Sequence, residues 1–307
     1  MSTAGVTVIG GVQIDVVIVP VAELPAPGQT RLVDQLSFRA GGAGSNTAVA
    51  LSASGADVRL IGCVADDRLG RWLREDLGRL GLAHHIAVVE GETTGLTVAC
   101  EAPGRDRSFL TFLGVNEVWE EGLIPADATD CRSLLVCDYF CAPALRGEPT
   151  RGLFARARAT GARTFFDTAW DPAGWAQDAR AEVLGLLPEV DVFLPNDGEA
   201  RALTGSTEAP ERLARELQTL SGGWVVVKLG ERGAVAAGPE GAELAAPAAP
   251  ARVLDSTGAG DAFNAGLIVA LDEGAEWPDA LRAGTALAAA TIARPVPERH
   301  LPLQRTV

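Results

Sequence analysis

The C-terminal half of the chain alternates short apolar runs with longer amphipathic stretches, and this alternation restricts the fold more than any other feature. The runs have the length of strands, and two of the stretches end at glycines that suit a helix C-terminus, Gly161 and Gly222. We predict strands at 134–136, 163–166, 191–194 and 224–229 and helices at 150–160, 178–187 and 208–220. Strands that alternate with helices form a mostly parallel sheet. The sequence therefore predicts an α/β fold, with a mostly parallel central sheet flanked by helices on both faces.

Two earlier segments, about 12–40 and 93–116, do not follow this alternation. Both are rich in strand patterns, and a Pro103–Gly104 turn separates two strands predicted at 93–100 and 108–113. We predict that these segments form a small separate sheet that acts as a lid. No linker, repeat or low-complexity segment divides the chain, so we expect a single domain over 1–307.

The composition excludes some classes of partner. The 307 residues carry a net charge of -14, which disfavours nucleic acid and anionic membranes as partners. No apolar run reaches membrane-spanning length, residues 1–6 lack a basic region, and the five cysteines lack metal-ligand spacing. We expect a cytoplasmic protein that acts on small molecules.

A glycine pair close to the C-terminus carries the strongest chemical signal. Gly258-Ala259-Gly260 lies between an apolar run at 251–254, which reads as the end of a strand, and an apolar helical stretch at 262–271. Backbone N–H groups at a helix start form an anion site, and glycine lets an anion approach closely. Asp261 stands in the first turn of this helix, where a carboxylate can take a proton from a hydroxyl that attacks phosphorus.

Two other interpretations of this stretch stay open at this point. Aspartate is favoured at any helix start by capping and by the helix dipole. The glycines could also begin a dinucleotide fingerprint, although Phe263 stands in place of its third glycine and the motif belongs early in a βαβ unit.

A charged residue interrupts an apolar, strand-like run close to the N-terminus. Asp15 lies within the apolar run 12–18, and strict alternation places Gln13 on the same face. Either both side chains face solvent at a sheet edge, or both form one wall of a polar pocket.

Four segments together resemble the ribokinase-like (phosphofructokinase-B) carbohydrate kinases over nearly the whole chain. Residues 255–264, Asp-Ser-Thr-Gly-Ala-Gly-Asp-Ala-Phe-Asn, resemble the C-terminal signature of that family, and 41–50 resemble its N-terminal signature. Residues 196–199, Asn-Asp-Gly-Glu, are similar to its Asn-x-x-Glu element, and 229–233 to its nucleotide-binding turn.

This resemblance implies an enzyme that transfers the γ-phosphoryl group of ATP, with Mg²⁺, to a hydroxymethyl group of a small carbohydrate. It implies that Asp261 is the general base and that Gly258, Ala259 and Gly260 donate N–H groups to the phosphoryl group. The implied nucleotide-binding residues are Asn196, Glu199, Lys228, Gly230, Glu231 and Gly233, with Glu199 holding magnesium through water. Taken alone, Asn196 and Glu199 could simply start a helix, and Gly230 and Gly233 could be ordinary turn glycines.

The resemblance also assigns a sugar pocket and a cation site. Gln13, Asp15, Gly42 and Asn46 are the implied sugar ligands, although Asn46 could instead cap a helix. Asp255 and Thr257 match two contributors to the monovalent-cation site, for K⁺, that many members have. We also expect a homodimer that pairs through the lid.

The chain departs from the family pattern at several positions. Ribokinases proper usually have asparagine where Gln13 stands and lysine where Ala43 stands, which puts ribose in doubt as the substrate. The segment 293–300 carries Pro295 and Pro297 in place of the glycine-rich loop that usually completes the cation site, so the potassium requirement stays open.

Two rival functions stay open beside a sugar kinase. One is a nucleoside kinase of the same family, which needs an aromatic slot for the base, whereas only 5% of residues are aromatic. The other is a catalytically silent sugar-binding regulator, which would not need a base at position 261.

Overall fold

The computed structural model describes residues 4–21, 23, 25–100 and 108–302. The strands are β1 (Ala4–Ile9), β2 (Gln13–Val19), β3 (Gln35–Gly41), β4 (Val58–Ala65), β5 (His85–Val89), β6 (Leu96–Cys100), β7 (Ser108–Phe112), β8 (Cys131–Val136), β9 (Arg163–Phe166), β10 (Val192–Phe193), β11 (Trp224–Lys228), β12 (Ala234–Ala237) and β13 (Glu243–Ala246). The helices are α1 (Ala43–Ala53), α2 (Arg68–Gly78), α3 (Glu148–Ala159), α4 (Gln177–Leu186), α5 (Asp197–Thr204), α6 (Pro210–Ser221), α7 (Ala259–Asp272) and α8 (Trp277–Ile292). The turn predicted at Pro103–Gly104 lies outside the described residues.

A nine-stranded sheet in the order β13-β12-β11-β10-β9-β8-β1-β4-β5 forms the centre of the molecule. Neighbours from β11 to β5 are parallel, and β12 and β13 add an antiparallel edge. The middle of β11, Val225 to Val227, is fully buried, as parallel strands covered on both faces require. The predicted mostly parallel sheet is confirmed.

The helices cover both faces of this sheet. Apolar side chains of α1, α2, α7 and α8 pack in one core cluster with residues such as Val8 and Leu60, while side chains of α3 to α6 pack in the other with residues such as Phe166 and Phe193. No helix among the described residues combines the length and the apolar character needed to cross a membrane.

A second sheet of four strands, in the order β3-β2-β6-β7, is built from the two segments that the sequence sets apart as a lid. One of its strands begins later than predicted, because β6 starts at Leu96 rather than at 93. This shift has a local cause: Asp67 at the start of α2 accepts hydrogen bonds from the Thr94 N–H (2.8 Å) and hydroxyl (2.7 Å). Thr94 is therefore held by a helix N-terminus rather than by a strand.

The strand predicted at 251–254 is wrong. These residues belong to neither sheet, and the Leu254 N–H donates to the Ile292 carbonyl at the end of α8 (2.8 Å). The outermost strand of the large sheet, β13, ends at Ala246 and pairs only with β12. The glycines of 258–260 therefore begin a helix, but an irregular segment leads into it.

The carboxyl ends of the parallel strands meet at one edge of the large sheet. Five residues stand at these ends or within three positions after them: Gly10 after β1, Asp138 after β8, Asp167 after β9, Asn196 after β10 and Lys228 at the end of β11. In open α/β sheets this edge is where ligands bind. The lid sheet leads into the same region, because β3 runs through Gly41 into the start of α1.

Candidate active site

The first turn of α7 forms one wall of the site. Gly258 precedes the helix with φ 75°, a left-handed conformation that favours glycine, and no side chain caps the N–H groups of this turn. The Ala259 N–H donates to the Ser256 carbonyl at 3.2 Å. The N–H groups at the positive end of a 14-residue helix therefore face the sheet edge and suit an anion.

Asp261 is held in place by a residue from the opposite end of the chain. The Asn46 Nδ2 of α1 donates to its Oδ2 at 3.0 Å. Burial raises the pKa of Asp261 well above the usual aspartate value, and the neighbouring charges of Asp138 and Asp167 raise it further, against the opposing effect of Lys228. The site therefore holds a carboxyl group of increased basicity next to an anion site.

Lys228 supplies the positive charge at the centre of the site. Its Nζ donates to Asp167 Oδ2 (2.6 Å) and Asn264 Oδ1 (3.3 Å), while Asn264 Nδ2 donates to the same Asp167 oxygen (2.6 Å). Burial alone would lower the pKa of Lys228, but the charges of Asp167 and Glu199 raise it above its usual value, so the ammonium stays charged. A Cβ added to Gly260 would lie 3.7 Å from Nζ, so this ammonium also lies close to the start of α7.

Asn196 and Glu199 form a capping box at the start of α5. The Glu199 carboxylate accepts from the Asn196 N–H (2.9 Å) and Nδ2 (2.6 Å), and Asn196 Oδ1 accepts from the Glu199 N–H (2.9 Å). Burial raises the pKa of Glu199 to about 7, and the charge of Asp167 contributes. These residues therefore do start a helix, but they also place a buried carboxyl group beside Lys228 and Asp167.

The turn from Gly230 to Gly233 follows β11 and lies beside α5. The Leu229 N–H donates to the Gly233 carbonyl at 2.8 Å, and Arg232 pairs with Asp197 of α5 at 2.9 Å. Glu231 in this turn is exposed to solvent. The turn thus directly follows the strand that ends in Lys228, on the side of the site away from Asp261.

Gln13 and Asp15 lie on one face of β2 and are 7% and 8% exposed, so they do not face solvent at an edge. Gln13 Nε2 donates to the Thr97 hydroxyl of β6 at 2.8 Å. A Cβ at Gly41 would lie 2.1 Å from the Asp15 carboxyl carbon, so only glycine fits where β3 passes this carboxylate. The lid therefore presents two polar side chains over the junction at Gly42.

Asp138 and Asp167 were missed as site residues by the sequence reasoning. Asp138 Oδ2 accepts from the Ala43 N–H at the start of α1 (2.6 Å), and Asp167 forms the pair with Lys228. Asp167 directly follows an apolar strand and Asp138 lies one residue beyond another. Because ligands bind at the carboxyl ends of parallel strands, this position indicates a site residue. A further signal was that Lys228 is the only lysine in the chain.

Comparison with known proteins identifies the family. The model of the family described as "pfkB family carbohydrate kinase" matches residues 3–302. The chain belongs to the pfkB family of carbohydrate kinases. It is 27% identical to the ribokinase of Haemophilus influenzae, over 97% of this chain and 95% of that protein. It is 29% identical to the fructoselysine 6-kinase of Escherichia coli, over 82% of this chain and 89% of that protein.

The fold agrees with a solved structure of the same family. The ribokinase from Thermotoga maritima superimposes with a TM-score of 0.80 and 25% identity, covering 98% of this chain and 97% of that one. The resemblance to ribokinase-like kinases and the predicted α/β fold with a lid sheet are therefore confirmed. The pfkB-family chain is a carbohydrate kinase, and kinases of this family use ATP.

The residues of this pfkB-family site can be tested against the metal ions that the resemblance implies. Among the described residues, no group of three or more His, Cys, Asp or Glu side chains could hold a metal ion by itself. Magnesium bound through water and through the phosphates of ATP needs fewer protein ligands. Glu199 and Asp167 fit this arrangement, since they are oxygen ligands whose mutual repulsion a cation would relieve.

An arginine side chain, rather than an open space for an ion, lies next to Asp255 and Thr257, the candidate ligands of a monovalent cation. The Arg299 guanidinium donates to the backbone carbonyl of Thr257 at 2.6 Å and also to that of Asp255. The Asp255 carboxylate accepts from Arg39 of β3 at 2.8 Å and from the Thr257 N–H at 2.7 Å. A guanidinium group therefore occupies the carbonyl oxygens that a cation would need, and a monovalent ion does not fit beside it.

The buried carboxyl group of Asp138 is expected to destabilise the folded protein at a pH where it is charged. Burial raises the pKa of Asp138 from 3.8 to about 6, and the charge of Asp167 contributes. Below about pH 4 the group is neutral in both the folded and the unfolded state, so it carries no cost. As the pH rises through 6 the folded state must hold a disfavoured charge. Asp138→Asn, which keeps the acceptor for Ala43, should therefore increase the free energy of unfolding by on the order of 1–2 kcal/mol at pH 7–8 and by little at pH 4.

Urea unfolding at both pH values checks this expectation, and Asp130→Asn is the matched control. Asp130 and Asp138 lie on either side of the same strand, β8, but Asp130 is exposed to solvent. Its substitution should therefore change the free energy of unfolding equally at both pH values. A gain for Asp138→Asn at pH 4 as large as that at pH 8 would contradict the proposed origin of the effect.

Proposed function

We propose that the protein is an ATP-dependent kinase that transfers the γ-phosphoryl group to a hydroxymethyl group of a small carbohydrate. The observation that carries this proposal is the position of Asp261. A buried carboxyl group of raised pKa stands in the first turn of α7, next to uncapped N–H groups and 3.0 Å from the Asn46 amide. A base and an anion site are thus adjacent, as transfer of a phosphoryl group to a hydroxyl requires.

In the proposed reaction, Asp261 takes the proton of the attacking sugar hydroxyl. The hydroxyl oxygen forms a bond to the γ-phosphorus, the bond from that phosphorus to the β-phosphate oxygen breaks, and ADP leaves with the bonding electrons. The raised pKa of Asp261, caused by burial and by the neighbouring carboxylates, makes its carboxylate a stronger base toward the sugar hydroxyl. Asn46 orients the carboxylate so that one oxygen faces the hydroxyl.

The backbone N–H groups of Gly258, Ala259 and Gly260 would stabilise the negative charge on the transferring phosphoryl group. Donors that are already oriented cost little reorganisation during the reaction. The Ala259 N–H would exchange its contact with Ser256, at 3.2 Å, for the phosphoryl oxygen. Lys228, close to Gly260, adds a positive charge at this position.

The nucleotide would lie along the outer part of the sheet edge. Asn196 and Glu199 would meet the phosphates and hold magnesium through water, and Lys228 and the turn with Gly230, Glu231 and Gly233 would border the nucleotide. Magnesium, when bound with ATP, neutralises the charge of the phosphates. Glu199 suits this role because its carboxyl group is buried beside Asp167, so that burial and the Asp167 charge raise its pKa and a nearby cation would favour its charged form.

The sugar would bind under the lid, between β2 and α1. Asp15, Gln13, Gly42 and Asn46 would hold its hydroxyl groups, with the Asp15 carboxylate accepting hydrogen bonds from two hydroxyl groups at once. Gln13 and Ala43 differ from the residues usual in ribokinases proper, so we do not assign ribose as the substrate. The named relatives act on different sugars, and the pocket residues set which one is accepted here.

The test is a panel of sugars and nucleosides with ATP consumption as the readout. Asp261→Ala should lower kcat on the accepted substrate by roughly 10²–10⁴, the usual contribution of a positioned general base, with substrate binding retained. Asp279→Ala is the matched control, because Asp279 also stands in the first turn of a helix but is exposed. A near-normal kcat for Asp261→Ala would contradict the assigned role, and sugar binding without any ATP consumption would favour a regulator instead.

The role of Asp15 can be tested through the Michaelis constants. Asp15→Asn keeps the shape but removes the charge, so the sugar KM should rise by a factor that corresponds to roughly 1.5–3 kcal/mol, while the KM for ATP stays nearly constant. Asp34→Asn, just before β3, is the control and should change neither constant. An unchanged sugar KM for Asp15→Asn would remove Asp15 from the pocket.

We further propose that two copies of the chain pair through their lids. The two edge strands of the lid sheet expose large apolar side chains, namely Leu36, Phe38, Phe109, Leu110 and Phe112, which are 42–63% exposed. Exposed apolar patches on sheet edges mark interaction surfaces. Leu110→Asp should therefore shift the protein from dimer to monomer in sedimentation velocity, whereas Leu220→Asp on α6, with 48% exposure, should not. A wild-type protein that stays monomeric at all concentrations would contradict this proposal.

A further inference from the structure

The C-terminal segment after α8 delivers one arginine to the loop that precedes α7. Residues 293–300 turn back over the end of α8, and Pro295 and Pro297 restrict their backbone. Arg294 Nη1 closes the segment by donating to the Leu301 carbonyl at 2.9 Å. The Arg299 side chain, only 12% exposed, points inward from this turn.

The guanidinium of Arg299 bridges two backbone carbonyls of one loop. It donates to the carbonyl oxygens of Asp255 and Thr257, and its nearest distance to the Asp255 carboxylate is 3.8 Å. Converging backbone carbonyl oxygens can bind a monovalent cation at the point where they meet. Arginine is always charged, so it is a permanent occupant of that point.

Two arginines approach the Asp255 carboxylate. Arg39 of the lid pairs with it at 2.8 Å, and these side chains are 11% and 17% exposed. The Arg299 guanidinium lies 3.8 Å from the same carboxylate. The loop before α7 is therefore held by positive charge that the chain itself supplies.

The contact with Thr257 also fixes the direction of a proposed catalytic donor. The Thr257 carbonyl and the Gly258 N–H belong to the same planar trans peptide, so they point in opposite directions. A guanidinium that holds the carbonyl on one side therefore holds the N–H toward the anion site on the other. Arg299 acts here as a positioning residue, since it does not reach the site itself.

We propose that Arg299 replaces a bound monovalent cation, so that this kinase needs no potassium. The two backbone carbonyls that would bind the ion, those of Asp255 and Thr257, already accept hydrogen bonds from the guanidinium of Arg299. This inference rests on the proposed kinase function, because the loop that Arg299 supports is the proposed anion site. It predicts that activity is insensitive to the nature of the monovalent salt.

The first experiment compares salts on the wild-type protein. The kcat and KM for ATP should agree within about two-fold in potassium, sodium and choline chloride at about 0.1 M, because equal ionic strength leaves only specific cation binding to differ. Titration with thallium(I), followed by thallium NMR, should show no saturable binding that potassium displaces. A ten-fold or greater activation by potassium, or displaceable thallium binding, would overturn the proposal.

The second experiment removes the guanidinium. In choline chloride, Arg299→Ala should lower kcat at least about ten-fold with little change in the sugar KM, since it disorients a donor that acts in the transition state. Potassium should restore part of the lost kcat by occupying the vacated carbonyls, and the variant should bind thallium. Arg282→Ala, which removes an exposed arginine of α8 that pairs with Asp279, is the control and should keep the wild-type kcat in every salt.

A merely structural role would give a different result. A loss that potassium does not restore, or an Arg299→Ala variant with normal kcat, would overturn the proposal. If Arg299→Ala does not fold, Arg299→Lys, which keeps a positive charge, should retain more activity than Arg299→Met, which does not; equal activities would count against it. If no sugar supports ATP consumption in any salt, the kinase proposal fails, whereas the thallium titration still decides the cation question.

Discussion

The ion pair between Lys228 and Asp167 is the contact on which the rest of the site depends. Asp138, Asp167, Glu199 and Asp261 all approach the carboxyl edge of the sheet, and burial together with the charge of neighbouring carboxylates raises the pKa of Asp138, Glu199 and Asp261. A buried cluster of carboxylates is stable only when positive charge or protons offset it. Lys228 supplies that charge through a 2.6 Å contact, and Asn264 completes the hydrogen bonds of Asp167.

This electrostatic arrangement also explains why the site suits an anionic ligand with a cation. Asp138 and Asp167 follow strands of the sheet and Glu199 stands in the first turn of α5, whereas the N–H groups that no side chain caps begin α7. Under the proposed function, phosphates would approach the start of α7, and a divalent ion bound with them would offset the charge of the carboxylates. The net charge of -14 makes such local donors necessary, because the field of the whole protein repels an anion.

The Arg39 side chain joins the lid to the loop before α7. Arg39 of β3 donates to the Asp255 carboxylate, and Arg299 of the C-terminal segment donates to the carbonyls of the same loop. In the lid, Asp15 lies opposite Arg39 in the pairing of β2 with β3. The residue that contacts the loop before α7 is therefore the strand neighbour of a proposed sugar ligand.

The sequence alone determined the α/β class, the separate lid sheet and the family, because hydrophobic periodicity and the glycine-rich signatures are local properties of the chain. It also determined the candidates Asp261, Asn46, Asn196 and Glu199, although not that Asn46 and Asp261 would meet at 3.0 Å. Only the tertiary structure revealed Asp138, Asp167 and Arg299 as neighbours of these residues, and it replaced the strand predicted at 251–254 by an irregular segment bound to α8. The physical reason is that charge pairing joins residues far apart in the chain: Arg299 lies 42 positions from Thr257, and Asp167 lies 61 from Lys228. No local pattern encodes such contacts, since they arise where strand ends and loops converge.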